Sequence, residues 1–151
     1  MKIEIVDEPI QFRLHGLGDF IGKERCSDVG LRLMNQLWKA VKTAQIATTG
    51  INHWVYLPAG KLFVGVELRT TPSDPTSVPL ESLDFELPRH LRHLHVGPYQ
   101  ELPQTWQALK AELTACGERV CPPSVEIYGH HHDDPSKLET TILIGLETKR
   151  I

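Results

Sequence analysis

The sequence predicts an α+β fold built from two tandem βαββ units, with antiparallel sheets, helices on one face and a central cleft. Two observations carry this prediction. An order of strand, helix, strand, strand runs through the chain twice, and the two runs align residue by residue. Gln36-Leu37-Trp38-Lys39-Ala40-Val41-Lys42 matches Gln104-Thr105-Trp106-Gln107-Ala108-Leu109-Lys110, and Val64-Gly65-Val66-Glu67 matches Ile144-Gly145-Leu146-Glu147. A unit of this size cannot bury its sheet alone, so the repeat implies a pseudo-twofold pair with a cleft where the halves meet. Clefts at such joints are common ligand sites. The 151 residues suit a single domain, with half-repeats at about 1–69 and 80–151 and a linker at about 70–79.

The elements follow in order. Residues from about Ile3 to His15 carry strand-like patches broken by Asp7-Glu8-Pro9 and end in Gly16-Leu17-Gly18-Asp19-Phe20, a strand with a bend and then a turn. Ser27 or Asp28 can cap a helix running to about Ala44, with Leu31, Met34, Leu37, Trp38 and Val41 as its apolar stripe. Asn52 to Leu57, the turn Pro58-Ala59-Gly60 and Leu62 to Arg69 make a hairpin. Thr70 to Pro79, rich in proline and small polar residues, reads as a surface connection. The second half repeats the order with a strand at 89–96, a helix at 102–116, a strand at 124–130, a polar loop at 131–138 and a strand at 140–147. Gly97-Pro98 ends the first of these strands, because proline donates nothing to a ladder and suits a helix start. Gly18-Asp19-Phe20 is its counterpart in the first half.

Composition excludes several functions. A net charge of −3 with interspersed signs lacks the basic excess of a direct nucleic-acid binder. No segment approaches the roughly 20 apolar residues of a membrane span, and MKIEIVDEP has no signal-peptide core. The expectation is a soluble, cytoplasmic protein with no membrane partner. Cys26, Cys116 and Cys121, odd in number and without CxxC spacing, read as reduced thiols. His130-His131-His132-Asp133-Asp134 invites a metal, but three adjacent residues cannot all aim at one ion from a strand, so a solvated loop is expected and no metal. Gly16-Leu17-Gly18 is too short for a phosphate loop, and no cofactor is expected.

Strand parity selects candidate site residues. If Val55, Leu57, Val64, Val66, Leu94, Val96, Val125, Ile127, Ile142, Ile144 and Leu146 face the helices, the opposite face carries Trp54, Tyr56, Phe63, Glu126, Tyr128 and His95, with Tyr99 at its edge. In the repeat Tyr56 matches Tyr128 and Trp54 matches Glu126, so one acid stands in an aromatic setting. A carboxylate among rings needs a donor or a cation, and the rings offer cation–π faces worth about 0.5 to 2 kcal/mol each. Such a site suits hydrophobic or cationic compounds. His95 orients the Gly-Pro-Tyr turn or borders the pocket.

The series His95-Val96-Gly97-Pro98-Tyr99, the Trp106 helix, Val125-Glu126-Ile127-Tyr128 and Thr141-Ile142-Leu143-Ile144-Gly145-Leu146 resembles the GyrI-like small-molecule-binding family. That family includes the effector-binding domains of AraC- and MerR-type multidrug regulators and the gyrase inhibitory protein. The resemblance implies a duplicated βαββ fold, a central pocket, and a glutamate at Glu126 that contacts cationic ligands, with Tyr128 and Trp54 beside it. Some relatives hydrolyse cyclopropane-bearing natural products with that glutamate and a nearby aromatic residue. The sequence reading is therefore a stand-alone binder or sequestering protein, and no stretch reads as a helix-turn-helix. Its alternatives are a hydrolase using Glu126 and Tyr128, or an interaction module acting on a protein partner such as gyrase. A homodimer closing the cleft stays open.

Overall fold

The computed structural model describes residues 2–70, 74 and 78–148. Two compact units divide the chain, one of residues 11–85 and one of residues 1–10 with 86–151. The strands are β1 (Glu4–Val6), β2 (Ile10–Phe20), β3 (His53–Leu57), β4 (Lys61–Val66), β5 (Glu81–Leu87), β6 (His90–Val96), β7 (Val120–Tyr128) and β8 (Glu139–Leu146). The helices are α1 (Cys26–Ala44) and α2 (Leu102–Ala115). The fold is α+β with antiparallel strand pairs, as the sequence predicts.

The units do not begin where the repeat does. Strand β1 pairs with β6, placing Ile5 opposite Leu91, and Ile3 and Ile5 pack on a core of Leu91, Leu102, Leu109, Leu113, Ile142, Ile144 and Leu146. Burial of those isoleucines draws residues 1–10 into the second unit, while Asp7-Glu8-Pro9 breaks the strand that would have tied them to β2. Strand β5 is a further departure, because residues 81–87 were not expected to form one. It lies beside β2, where Phe85 stacks on Phe12 at 5.0 Å and Asp84 meets Arg13 at 3.2 Å. Most of the expected linker, 71–73 and 75–77, lies outside the described residues.

Within the unit 11–85 the strand order is β3-β4-β2-β5. Gly16-Leu17-Gly18-Asp19-Phe20, expected to turn, continues β2 instead, and Gly16 pairs with Gly65. A Cβ at Gly16 would meet the Val64 carbonyl, so this glycine serves close strand approach rather than a turn. Helix α1 starts at Cys26, with Arg25 at the cap position and no side-chain cap, in place of the expected Ser27 or Asp28. Its buried stripe is Val29, Gly30, Leu33, Leu37 and Val41. Leu31 is exposed.

Within the second unit the order is β1-β6-β8-β7. The register pairs Glu126 with Ile142 and Tyr128 with Thr140 across β7 and β8, and Leu91 with Ile144 and His95 with Thr140 across β6 and β8. Ile142, Ile144 and Leu146 pack under α2 as expected. Pairing therefore puts Glu126, Tyr128, Leu91, His93 and His95 on the helix face, reversing the expected parity of β6 and β7. Leu94 and Val96, expected in the core, are 51% and 54% exposed. Strand β3 is reversed as well: Trp54 pairs with Val64 and Val55 with Phe63, and Trp54 rests on Gly30 of α1. No helix among the described residues is long and apolar enough to cross a membrane.

Candidate functional site

Strand β7 and helix α2 build the site. Glu126 and Tyr128, two apart, share the helix face of β7. On α2 the buried residues are Leu102, Leu109 and Leu113, and Trp106, four residues after one and three before another, lies on the same stripe. Its indole Nε1–H donates to Glu126 Oε2 at 2.7 Å, and the Tyr128 hydroxyl donates to Oε1 at 2.9 Å. Glu126 is only 3% exposed. Both donors are neutral, and they offset desolvation and fix the carboxylate's orientation.

Aromatic surface surrounds this acid. The Tyr99 ring stands edge-on to Tyr128, with centroids 5.3 Å apart at 88°, and is 40% exposed. Lys110, one turn beyond Trp106, holds its Nζ 5.6 Å from the indole ring. Tyr99 sits in a 3₁₀ turn of residues 99–101 that leads into α2. Gly97 begins this turn at φ 141°, its N–H donating to the Leu138 carbonyl at 2.8 Å. His95, nearly buried, has Nε2 3.3 Å from the Pro98 carbonyl and Nδ1 3.0 Å from Thr105 Oγ1.

The expected site residues therefore separate into two groups. Glu126, Tyr128 and Tyr99 come together, with His95 behind the turn that carries Tyr99. Trp54, Tyr56 and Phe63 belong to the other unit, where Trp54 and Tyr56 share the helix face with Val64 and Leu62 while Phe63 is on the opposite face with Val55. The expectation that Glu126 and Tyr128 turn away from the helices is corrected: the tryptophan of α2 supplies the donor the carboxylate needs. Sequence reasoning missed Trp106 and Thr105 as site-building residues. A signal existed, since an indole N–H on a buried helical stripe must find an acceptor.

The polyhistidine stretch lies in the loop before β8. His131 Nε2 is 3.3 Å from Asp133 Oδ1, both side chains being exposed. Ser136 donates to Asp134 Oδ1 through its hydroxyl at 2.7 Å and its N–H at 3.0 Å, which holds the Asp134 carboxyl below its usual range. Among the described residues no group of three or more His, Cys, Asp or Glu is placed to hold a metal ion. A cavity of about 390 Å³ in the same unit is lined by Arg89, Cys121, Gly145 and Glu147 among others, and Glu126, Tyr128 and Tyr99 do not border it.

No family model matches this chain, and no curated protein matches it in sequence. Solved structures do match it. The C-terminal domain of EcmrR superposes with a TM-score of 0.74 at 13% identity, covering 99% of this chain and 100% of that one. SAV2435 bound to tetraphenylphosphonium gives 0.68 at 11% identity over 97% and 94% of the two chains. A hydrolase from Listeria innocua gives 0.61 at 12% identity over 97% and 92%. At such identities the likeness is one of fold, and that fold is GyrI-like.

Proposed function

We propose that the chain is a small-molecule-binding domain for hydrophobic cations, binding or sequestering them with the Glu126 carboxylate at the base of the site. The observation that carries this reading is a nearly buried acid held by two neutral donors, Trp106 Nε1–H and Tyr128 OH, beside a half-exposed tyrosine. A ligand cation is attracted to the carboxylate, and the rings of Tyr99, Tyr128 and Trp106 give it apolar and cation–π surface. The fold supports the same reading, since SAV2435 was solved with tetraphenylphosphonium, a lipophilic cation.

Tetraphenylphosphonium titrated against intrinsic tryptophan fluorescence tests it. The expected result is saturable quenching, with Glu126→Gln weakening binding by about tenfold, equivalent to about 1.4 kcal/mol. Equal binding by wild type and Glu126→Gln overturns the assignment.

A hydrolase among the similar structures favours a second reading. Here Glu126 acts as general base toward water on a strained electrophile, such as a cyclopropane-bearing natural product, held against Tyr128. Turnover of such a compound, lost in Glu126→Gln while binding persists, selects this reading.

A further inference from the structure

We propose that His95 and Thr105 form a clasp that positions Tyr99, so that His95 acts on the ligand site through the turn and not by touching ligand. Only the affinity arm of the test rests on the function proposed above. The Pro98 carbonyl 3.3 Å from His95 Nε2 can only accept, so Nε2 carries the hydrogen. In the neutral ring Nδ1 is then an acceptor, and the Thr105 hydroxyl, 3.0 Å from Nδ1 and 3.3 Å from the Glu101 carbonyl, donates its one hydrogen to the nearer of these two acceptors. A single tautomer thus satisfies both nitrogens.

The same carbonyl accepts the Glu101 N–H at 3.1 Å, and Gly97 N–H is held by Leu138 at 2.8 Å. Residues 97–101 are in this way tied to the residue preceding β8, to β6 through His95 and to α2 through Thr105. Tyr99 lies midway between these ties. Its ring is too exposed for burial alone to fix it, so the backbone ties set its contact with Tyr128. The charged or titratable groups near the clasp are Glu101, whose Oε2 is 4.0 Å from His95 Nε2, and His93 on the same strand face. Next to His95 on β8 is the buried Thr140, and Tyr128 follows it on β7.

Three variants, a Tyr99→Ala background and two readouts test the clasp. In His95→Gln the side-chain amide can still donate to Pro98, whereas in His95→Asn it is one methylene too short; Thr105→Val removes the hydroxyl. Without ligand, amide exchange at Glu101 is expected to quicken about tenfold in His95→Asn and to stay near wild type in His95→Gln. Tetraphenylphosphonium affinity is expected to fall about fivefold in His95→Asn, about threefold in Thr105→Val and less than about twofold in His95→Gln. In a Tyr99→Ala background His95→Asn should have no further effect. Unchanged Glu101 exchange in His95→Asn, or an equal affinity loss with and without Tyr99, overturns the clasp. If wild type fails to bind the cation, the functional reading falls and the exchange measurement alone decides the clasp.

Discussion

In the unit of residues 11–85, His53 is the buried polar side chain among the described residues; in the other unit they are Arg89, His90, His95, Ser124, Glu126 and Thr140. The repeat gives both units the same order of elements, so this contrast is one of chemistry. With Val64 matched to Ile144, the strand registers make Tyr56 the counterpart of Glu126 and Trp54 that of Ser124, which corrects the expected match of Trp54 with Glu126; Trp54 packs against Gly30 in the early part of α1. Helix α1 has 19 residues and α2 has 14. The longer helix carries Gly30 over Trp54, whereas in the second unit a turn bearing Tyr99 precedes the shorter one. The helix tryptophans differ likewise: Trp38 Nε1–H donates to the neutral Asn52 Oδ1 at 2.8 Å, and Trp106 to the Glu126 carboxylate. Buried polar groups cost stability unless bonded, and under the proposed function the second unit is the half that carries the ligand site.

The largest expected effect tests the charge buried in the second unit. Arg89 bonds Glu118 at 2.5 and 2.9 Å and Asp7 at 2.9 Å, with the Arg89 and Glu118 side chains both nearly buried. Arg89→Leu takes the cation away from the nearly buried Glu118 carboxylate and should cost about 3–5 kcal/mol in urea unfolding. A loss below about 1 kcal/mol would show the pair to be solvated. Next comes Gly30→Val in the other unit, where even a Cβ meets the Trp54 ring. Overpacking there should cost about 3 kcal/mol, and a neutral result would mean α1 can shift away.

A smaller pair of variants compares the units directly. Trp106→Phe removes a donor from a buried charged acceptor and should cost about 2 kcal/mol, against about 1 kcal/mol for Trp38→Phe, which loses a neutral partner. Equal costs would erase the proposed distinction. The smallest effect per group is acid sensitivity. Burial holds the imidazoles of His15, His53, His90 and His93 below their ordinary 6.5. Between those lowered values and 6.5 the unfolded chain binds more protons, so stability is full above 6.5 and falls as pH drops through the window. Urea midpoints should therefore be lower at about pH 5 than at about pH 7.5; the reverse order would contradict the assigned environments.

What the sequence disclosed follows from how many faces each strand buries. In β8, Ile142, Ile144 and Leu146 keep one side apolar under α2, and their orientation was legible. Strand β7 was not: Val125 is fully buried on the far face while Glu126 is buried on the near one, so apolarity cannot tell the two sides apart. The acid looked outward because its donors, Trp106 and Tyr128, are close only once the helix is laid on the sheet. Glu126 itself was legible, as the one acid where the repeat has an aromatic residue. Strand β5 was readable but overlooked, since Leu83, Phe85 and Leu87 alternate with Asp84 and Glu86.

Under the proposed function the buried charge of Glu126 selects cations, and calorimetry with a matched pair of ligands, one charged and one neutral, measures that selection. Wild type should prefer tetraphenylphosphonium over an uncharged triphenylphosphine oxide by about tenfold or more, and Glu126→Gln should bind the two within about twofold of each other. A preference that survives Glu126→Gln unchanged would show that another group selects the cation.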